Sequence, residues 1–198
     1  TIQRLFLPAI LQASTGTSAM DFQAAQYSEP ANASPQGLLG IDLRAWQVSN
    51  ETGQQYTLPD ALSDVPQDVY ILILFDGTGP ANNDYDDSDG KIVLHTPAGV
   101  EDIFSDEAGQ VGLYRSGAQD ADHIVDFLAW GGFSEVAGAN AVAAGVWGPG
   151  QAASFESGLG DISLEDLLEP EESLGRYPGA DEFGAENWAN YPSASLTP

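Results

Sequence analysis

The chain has 198 residues, of which 42% are hydrophobic and 10% aromatic, enough to fill the core of one domain. Five Lys and Arg against 30 Asp and Glu give a net charge of −25, which excludes nucleic acids and anionic membranes as general partners of its surface. The chain contains no Cys, so disulfides, thiolate metal sites and a cysteine nucleophile are excluded too.

The start of the sequence, its sequons and its few cations favour an extracellular protein. No apolar run approaches the roughly 18 residues of a membrane-spanning helix, so membrane insertion is not expected. The sequence starts at Thr1 without a basic and apolar leader, which is typical of a mature chain after removal of an export signal. Two N-x-S/T sequons, at Asn32 and Asn50, and the scarcity of cations point the same way.

Hydrophobic patterning predicts a succession of short strands. Residues 1–12 (TIQRLFLPAILQ) are apolar, and Pro8 restricts them to an edge strand or an extended tail. A linker follows at residues 14–19. The further strand candidates, in chain order, are residues 21–27, 39–49, 54–58, 69–75, 91–95, 110–115 and 123–130. The spacing of these short strands predicts a β-sandwich.

Turn residues separate these strands. Residues 76–90 (DGTGPANNDYDDSDG) combine Asp, Asn, Gly and Pro, and predict one long turn without a regular element. After residue 131 the pattern changes, because residues 135–147 are rich in Ala and residues 163–169 begin with a Ser suited to a helix N-terminus. Two short helices are therefore predicted within an insertion at about residues 132–172.

Several short motifs occur in a fixed order along these strands. The segments are IDLRAWQV (41–48), YTLP (56–59), VYILILF (69–75), AGQVGLY (108–114), IVDFLAWG (124–131) and SLGRYP (173–178), followed by Asp181, Trp188 and Pro192. Their order resembles the strand motifs DLsGWxL, ftLP, yhvv, ggevaLyd and vvDfvaWG, and the closing motif SiGRxp, of the lamin-tail domain family in its secreted bacterial form. The resemblance covers about residues 20–198. It implies an immunoglobulin-like sandwich that serves binding or structure, without a shared catalytic constellation.

The long turn places oxygen atoms at near-alternate positions. Asp84, Asp86, Ser88 and Asp89 are ligands of the kind that Ca²⁺ takes, and carboxylates this close repel one another without a cation. The loop is not an EF-hand, because Asp89 stands where that motif has Gly. The two interpretations are a calcium site at these four residues and a solvated acidic turn.

Candidates for catalysis are few. The two imidazoles, His95 and His123, would have to meet in space to share a metal, and a surface or structural role is the more common one. No G-x-S-x-G motif occurs, and among 30 acidic residues some pair always has a spacing suited to glycosidase chemistry. We predict that the protein is not an enzyme; an enzyme is the third alternative and would need a pocket where His95 or His123 meets a carboxylate with a perturbed pKa.

Four tryptophans allow two interpretations. Trp46, Trp130, Trp147 and Trp188 would form a platform for a sugar chain if they were exposed. In the strands of a sandwich an indole is more often part of the core, and this is our prediction. Exposed Trp or Tyr would instead favour a binding module for an extracellular polysaccharide.

The N-terminal segment carries five large apolar residues, Leu5, Phe6, Leu7, Ile10 and Leu11. Burial of each is worth about 1.5–3 kcal/mol, so they need a groove. One interpretation folds this strand onto the edge of its own sandwich. The other inserts it into the next subunit by β-strand addition, which gives a filament when repeated head to tail.

The sequence thus predicts an all-β, immunoglobulin-like β-sandwich at residues 20–198, with short helical insertions and an extended N-terminal strand and linker at residues 1–19. The predicted function is that of a secreted bacterial surface protein that self-associates as a homo-oligomer or homopolymer, with a filament as one form, by donating its N-terminal strand. The alternative is an accessory extracellular module that binds a polysaccharide or a protein without catalysis.

Overall fold

The structure is a computed structural model that describes residues 11–12, 18–23, 41–66, 69–101, 103–104, 109–115, 117–130, 135–151, 173–176 and 188–191. The elements, in chain order, are β1 (Leu11–Gln12), β2 (Ser18–Gln23), β3 (Gln47–Ser49), β4 (Gln55–Thr57), β5 (Tyr70–Phe75), a 3-10 turn (Pro80–Asn82), β6 (Lys91–His95), β7 (Gly109–Tyr114), β8 (Ile124–Trp130), α1 (Glu135–Ala143), β9 (Ser173–Arg176) and β10 (Trp188–Tyr191). Within these ranges, no helix is both long and apolar enough to cross a bilayer.

The strands form three sheets. β5 pairs with β2 in antiparallel and with β6 in parallel orientation. The second sheet, β4–β3–β7–β8, and the third, β1–β9–β10, are antiparallel throughout. Mostly antiparallel strands with one helix in the described residues confirm the predicted β-rich fold.

Two strands, β2 and β3, start more than one residue from their predicted first residues. β3 begins at Gln47 rather than at residue 39, because the chain turns at residues 44–45, where the Trp46 N–H donates to the Leu43 carbonyl at 3.2 Å. β2 begins at residue 18, earlier than predicted, and so includes the last two residues of the predicted linker. Both differences arise because strand ends are set by hydrogen-bonded partners rather than by hydrophobic pattern alone.

The helix α1 is shorter than the predicted 135–147. It ends where Gly145 takes a positive φ of 72°, and the Val146 N–H donates back to the Ala141 carbonyl at 2.9 Å. A glycine in this conformation is a common way to end a helix. The second predicted helix, at residues 163–169, lies outside the described residues.

A row of four aromatic side chains joins the two larger sheets, β2–β5–β6 and β4–β3–β7–β8. Tyr56 of β4 contacts Phe75 of β5 with 6.4 Å between ring centroids, Phe75 contacts Phe104 at 5.0 Å, and Phe104 contacts Trp130 of β8 at 6.2 Å. Gly109 lies opposite Trp130 in the β7–β8 register, and a Cβ at that position would come within 2.5 Å of the indole. The aromatic row, defined by Tyr56, Phe75, Phe104 and Trp130, therefore depends on a glycine in the neighbouring strand.

The face of β7 and β8 that points away from this row is covered as well. Trp147, after α1, contacts Phe127 of β8 edge-to-face with 5.4 Å between centroids. The Asn140 side chain of α1 hydrogen bonds with the Tyr114 hydroxyl, and burial raises the pKa of Tyr114. Because both faces are covered, all six residues of β7 are buried and its sequence shows no polar alternation.

Ala45 adopts a φ of 57°, in the left-handed region that strains a residue with a Cβ atom. We expect Ala45→Gly to raise the free energy of unfolding by about 0.5–1 kcal/mol, measured by urea denaturation. Ala61→Gly is the matched control, because Ala61 is also exposed and in a turn. That variant should lose stability, since glycine adds only entropy to the unfolded chain. Losses of equal size in both variants would contradict strain at Ala45.

Candidate functional site

The connection between β5 and β6, residues 76–90, carries most of the candidate ligands. It leads from one strand to its parallel neighbour and passes along the outer edge of β6. There, Asp84 and Val93 exchange both backbone hydrogen bonds at 2.8 Å. The predicted long turn is present, although it contains the short 3-10 turn that the sequence did not indicate. Its course protects backbone groups of β6 that would otherwise invite pairing with another chain.

The predicted calcium ligands are exposed on this connection, and each acid closes a local turn. Oδ1 of Asp84 accepts from the Asp86 N–H at 3.0 Å, and Oδ1 of Asp86 accepts from the Ser88 N–H at 3.0 Å. Oδ1 of Asp89 accepts from the Lys91 N–H at 3.2 Å. Hydrogen bonds from Ser88 lower the pKa of Asp86. Over the part of the chain that the structure describes, no three acidic or imidazole groups converge as a metal site. The calcium site stays a prediction.

A cluster of Asp76, Thr78 and His95 lies where the parallel strands β5 and β6 end at the same edge of the sheet. Nδ1 of His95 is 2.6 Å from Oδ2 of Asp76 and 3.0 Å from Oγ1 of Thr78. The Thr78 hydroxyl donates to Oδ1 of Asp76 at 3.0 Å, and the His95 N–H donates to Oδ1 of Asn83 at 2.7 Å. No local sequence pattern indicates this cluster, since only the parallel pairing of β5 and β6 brings Asp76 and His95 together.

The arrangement of this cluster does not activate a nucleophile. In a hydroxyl–imidazole–carboxylate triad, the hydroxyl and the carboxylate contact opposite nitrogens of the ring. Here Thr78 and Asp76 both contact Nδ1 of His95, and the hydroxyl also donates to the carboxylate. The cluster therefore fixes the start of the connection rather than preparing Thr78 for attack.

Each histidine has its own aspartate partner, in a different loop. Nδ1 of His123 lies 2.6 Å from Oδ1 of Asp120, and this hydrogen bond lowers the pKa of Asp120. At Asp76, partial burial works to raise the pKa, but hydrogen bonds from Thr78 and His95 outweigh it and lower the pKa below its ordinary value of 3.8. The Asp76 side chain is 16% exposed and the Asp120 side chain 47% exposed. Solvent therefore screens the pair of Asp76 and His95 less than the pair of Asp120 and His123.

The lowered pKa of Asp76 predicts a dependence of stability on pH. A carboxylate with a depressed folded-state pKa stabilises the fold above its unfolded pKa, and this contribution is lost as the pH falls through the folded value. Asp76→Asn should lower the free energy of unfolding by about 1 kcal/mol near pH 6 and by less near pH 2, measured by urea denaturation. Asp120→Asn, in the exposed pair, is the control and should cost less. Equal losses at both pH values would contradict the assigned cause.

Asn50 is a buried polar hub at the end of β3, and it is 3% exposed. Its Nδ2 donates to the Ile103 carbonyl at 2.6 Å and to Oε1 of Gln54 at 3.1 Å. Its Oδ1 accepts from the N–H of Thr52 at 3.0 Å, from the Thr52 hydroxyl at 2.9 Å and from the N–H of Gln54 at 2.9 Å. One amide thus closes the β3–β4 turn and anchors the segment that brings Phe104 into the aromatic row. The Asn at the start of a turn was the available sequence signal, but its partner Ile103 was not predictable.

The same residue belongs to one of the two sequons. A glycan would be attached at Nδ2 of Asn50, the atom that donates both amide hydrogen bonds in a site closed to solvent. The folded turn has no room for that modification, so this sequon does not support an extracellular location. The other sequon, at Asn32, lies outside the described residues.

We expect Asn50→Ala to lower the free energy of unfolding by about 2–3 kcal/mol, because it leaves buried donors and acceptors without partners. Near-ultraviolet circular dichroism should change as well, since the variant releases the segment that holds Phe104. Asn82→Ala removes an exposed amide that donates to the Thr78 carbonyl at 3.2 Å, and should cost less than about 0.5 kcal/mol. Similar losses in both variants would refute the role of Asn50.

Trp46, Trp130 and Trp147 do not form an exposed platform for a sugar chain. Trp130 and Trp147 are 1% and 4% exposed and lie in the core, as predicted, and Trp46 is half-buried against it. Trp188 lies in β10. Among the described residues, Tyr85 is the large hydrophobic side chain that is exposed, and its hydroxyl accepts a hydrogen bond from Asn83 at 2.8 Å. A single ring gives less contact than the row of rings that suits a sugar chain.

The predicted subunit-interface residues fall mostly outside the described part of the chain. Leu5, Phe6, Leu7 and Ile10 are in the range without description. Leu11 lies in β1, in register with Leu174 of β9 in the same chain. The choice between packing on the chain's own edge and donation to a neighbour stays open at this point.

Comparisons with protein-family models, with curated proteins and with solved structures find no match to this chain. The likeness to the lamin-tail family therefore rests on the motifs quoted above. The described side chains form turns closed by side-chain hydrogen bonds, two histidine–aspartate pairs and the buried amide of Asn50.

Proposed function

We propose that the protein is a secreted, non-catalytic structural protein that self-associates into a homopolymer through its N-terminal segment. The observation that carries this proposal is a contrast of charge along the chain. Residues 1–20 contain Arg4 and no acidic residue, although the whole chain has a net charge of −25. Acidic copies repel one another. Electrostatic repulsion from an acidic neighbour is therefore smallest for this apolar segment, which carries a single cation.

The apolar side chains of this segment supply the driving force. Burial of Leu5, Phe6, Leu7, Ile10 and Leu11 contributes about 1.5–3 kcal/mol for each side chain. The acidic surface of the remaining chain then keeps the assembled copies soluble and limits lateral association. A high ionic strength should favour assembly, because it screens the repulsion between copies.

We further propose that the fold is an immunoglobulin-like sandwich of the lamin-tail type. The aromatic row between the two larger sheets supports this proposal. A second support is Ala45, which has the positive φ of 57° at the position where the motif DLsGWxL has glycine. Tyr56 and Leu58 of the YTLP segment are buried, as are Asp126 and Trp130 of the IVDFLAWG segment. The likeness to secreted bacterial members supports a location outside a bacterial cell.

The alternative function, an accessory module that binds a polysaccharide, has less support. Binding of a sugar chain requires exposed aromatic rings, whereas among the described side chains Trp130 and Trp147 lie in the core and Tyr85 is the exposed large ring on the acidic connection. A module of this kind would also remain a discrete particle, which is the property that the following experiment measures.

Electron microscopy of the full chain tests the proposed function. We expect regular assemblies in buffers of physiological or higher ionic strength, and discrete monomers after deletion of residues 1–12. The truncated chain should still unfold cooperatively, because every described core residue lies between Ile41 and Trp147. Assembly of the truncated chain like that of the full chain would contradict the proposal.

A matched pair of point variants separates apolar burial from charge. Leu7→Glu and Gln3→Glu add the same charge within the same segment. Only the first removes a large apolar side chain, so it should raise the concentration needed for assembly by at least about tenfold, as expected for a loss of roughly 1.4 kcal/mol or more. Equal effects of the two variants would show that repulsion alone explains the loss.

Calcium at Asp84, Asp86, Ser88 and Asp89 is kept as a subsidiary proposal, supported by the oxygen chemistry of these side chains. If the ion binds the folded chain with Ca²⁺ at about 100 times Kd, it stabilises the fold by about 2.7 kcal/mol. We expect a higher melting temperature in calcium than in chelator at fixed pH and ionic strength, and loss of the difference in Asp86→Asn but not in the exposed control Asp64→Asn. Identical melting curves would exclude the site.

A further inference from the structure

The strand β1 joins a sheet that is separate from the core strands. It pairs antiparallel with β9, with Leu11 opposite Leu174 and Gln12 opposite Ser173. On its other side β9 pairs along all four residues with β10. This sheet therefore combines a strand from the beginning of the chain with two strands that follow the described core.

Exchange of β1 between copies would leave the core unchanged. The sheets β2–β5–β6 and β4–β3–β7–β8 contain neither β1 nor β9, and every described core residue lies between Ile41 and Trp147. An exchanged strand makes the same backbone pairs in a neighbour as in its own chain, so the exchange needs no new interface chemistry. The backbone pairs stay the same, whereas the contacts that β1 makes with β2 of its own chain change.

The connection to the rest of the chain is short but sufficient for an exchange. Residues 13–17 separate β1 from β2. Fully extended, the six steps from Gln12 to Ser18 reach about 20 Å, which is comparable with the width of four neighbouring strands. A connection of this length allows β1 to reach a neighbour and keeps that neighbour close.

We propose that β1 of one copy pairs with β9 of the next, in the register Leu11–Leu174 and Gln12–Ser173. This inference rests on the proposed function and names the acceptor of the donated strand. The contact is heterologous: each copy gives β1 to one neighbour and receives β1 on β9 from another. Repeated head to tail, it produces an open chain of copies, whereas reciprocal exchange between two copies would produce a closed dimer.

The absence of Cys from the sequence allows a direct test by disulfide trapping. Two single variants, Gln12→Cys and Ser173→Cys, are mixed under assembly conditions and oxidised, and the products are separated on a non-reducing gel. Leu11→Cys with Leu174→Cys is a second pair, because facing residues in antiparallel strands alternate between wider and closer spacing. Gln12→Cys with Thr57→Cys, an exposed position of β4, is the control for random collision.

We expect a disulfide-linked dimer of the two different variants, at least about tenfold above the control, for one or both facing pairs. The double variant Gln12→Cys/Ser173→Cys should then give a ladder of covalent multimers from assembled material. If that double variant closes only within single chains while assemblies still form, the strand exchange is wrong but self-association stands. If neither facing pair crosslinks in assembled material, β9 is not the acceptor. If no assemblies form at any ionic strength, the proposed function itself fails.

Discussion

The contact between the two larger sheets depends on the aromatic row formed by Tyr56, Phe75, Phe104 and Trp130. Three of these rings come from strands, but Phe104 lies in the segment between β6 and β7 and has no ladder of backbone hydrogen bonds to hold it. The buried amide of Asn50 supplies that support by donating to the Ile103 carbonyl at 2.6 Å. Apolar packing in the interior therefore relies on one polar side chain that is fully satisfied, as buried polar groups in a core must be.

The acidity of the chain has a structural use besides its effect on solubility. Several of its Asp and Asn side chains accept a hydrogen bond from the backbone N–H two residues further on, which is the pattern of a side-chain-closed turn. These residues are Asp42, Asn50, Asp76, Asp84, Asp86, Asp89 and Asp120. At Asp42, hydrogen bonds from Arg44 lower the pKa to about 2. A carboxylate whose pKa is lowered by such hydrogen bonds stays charged, so turn formation and a strongly acidic surface are compatible.

The same acidity defines the physical problem that any assembly of this protein must solve. Copies with a net charge of −25 approach one another only where charge is low or opposite in sign. Residues 1–17, which precede β2 and contain no acidic residue, provide such a region. β1 lies within this segment and pairs with β9 of the third sheet. Meanwhile Asp84 pairs with Val93 along the outer edge of β6 and closes that edge to other chains. Selective access to sheet edges is how a β-rich protein can assemble in one direction without general aggregation.

The sequence by itself determined the class of fold and the position of most central strands. The apolar run at residues 69–75 predicted β5, and the short patterns that predicted β4, β6, β7 and β8 were right to within a residue or two, because alternation and turn residues are local properties of a chain. The tertiary structure decided what depends on distant partners: the parallel pairing of β5 with β6, the meeting of Asp76 and His95, the hold of Asn50 on Ile103, and the late start of β3. These contacts join residues far apart in the chain. A one-dimensional pattern carries the tendency of each segment but not the identity of the segment that will satisfy its hydrogen bonds.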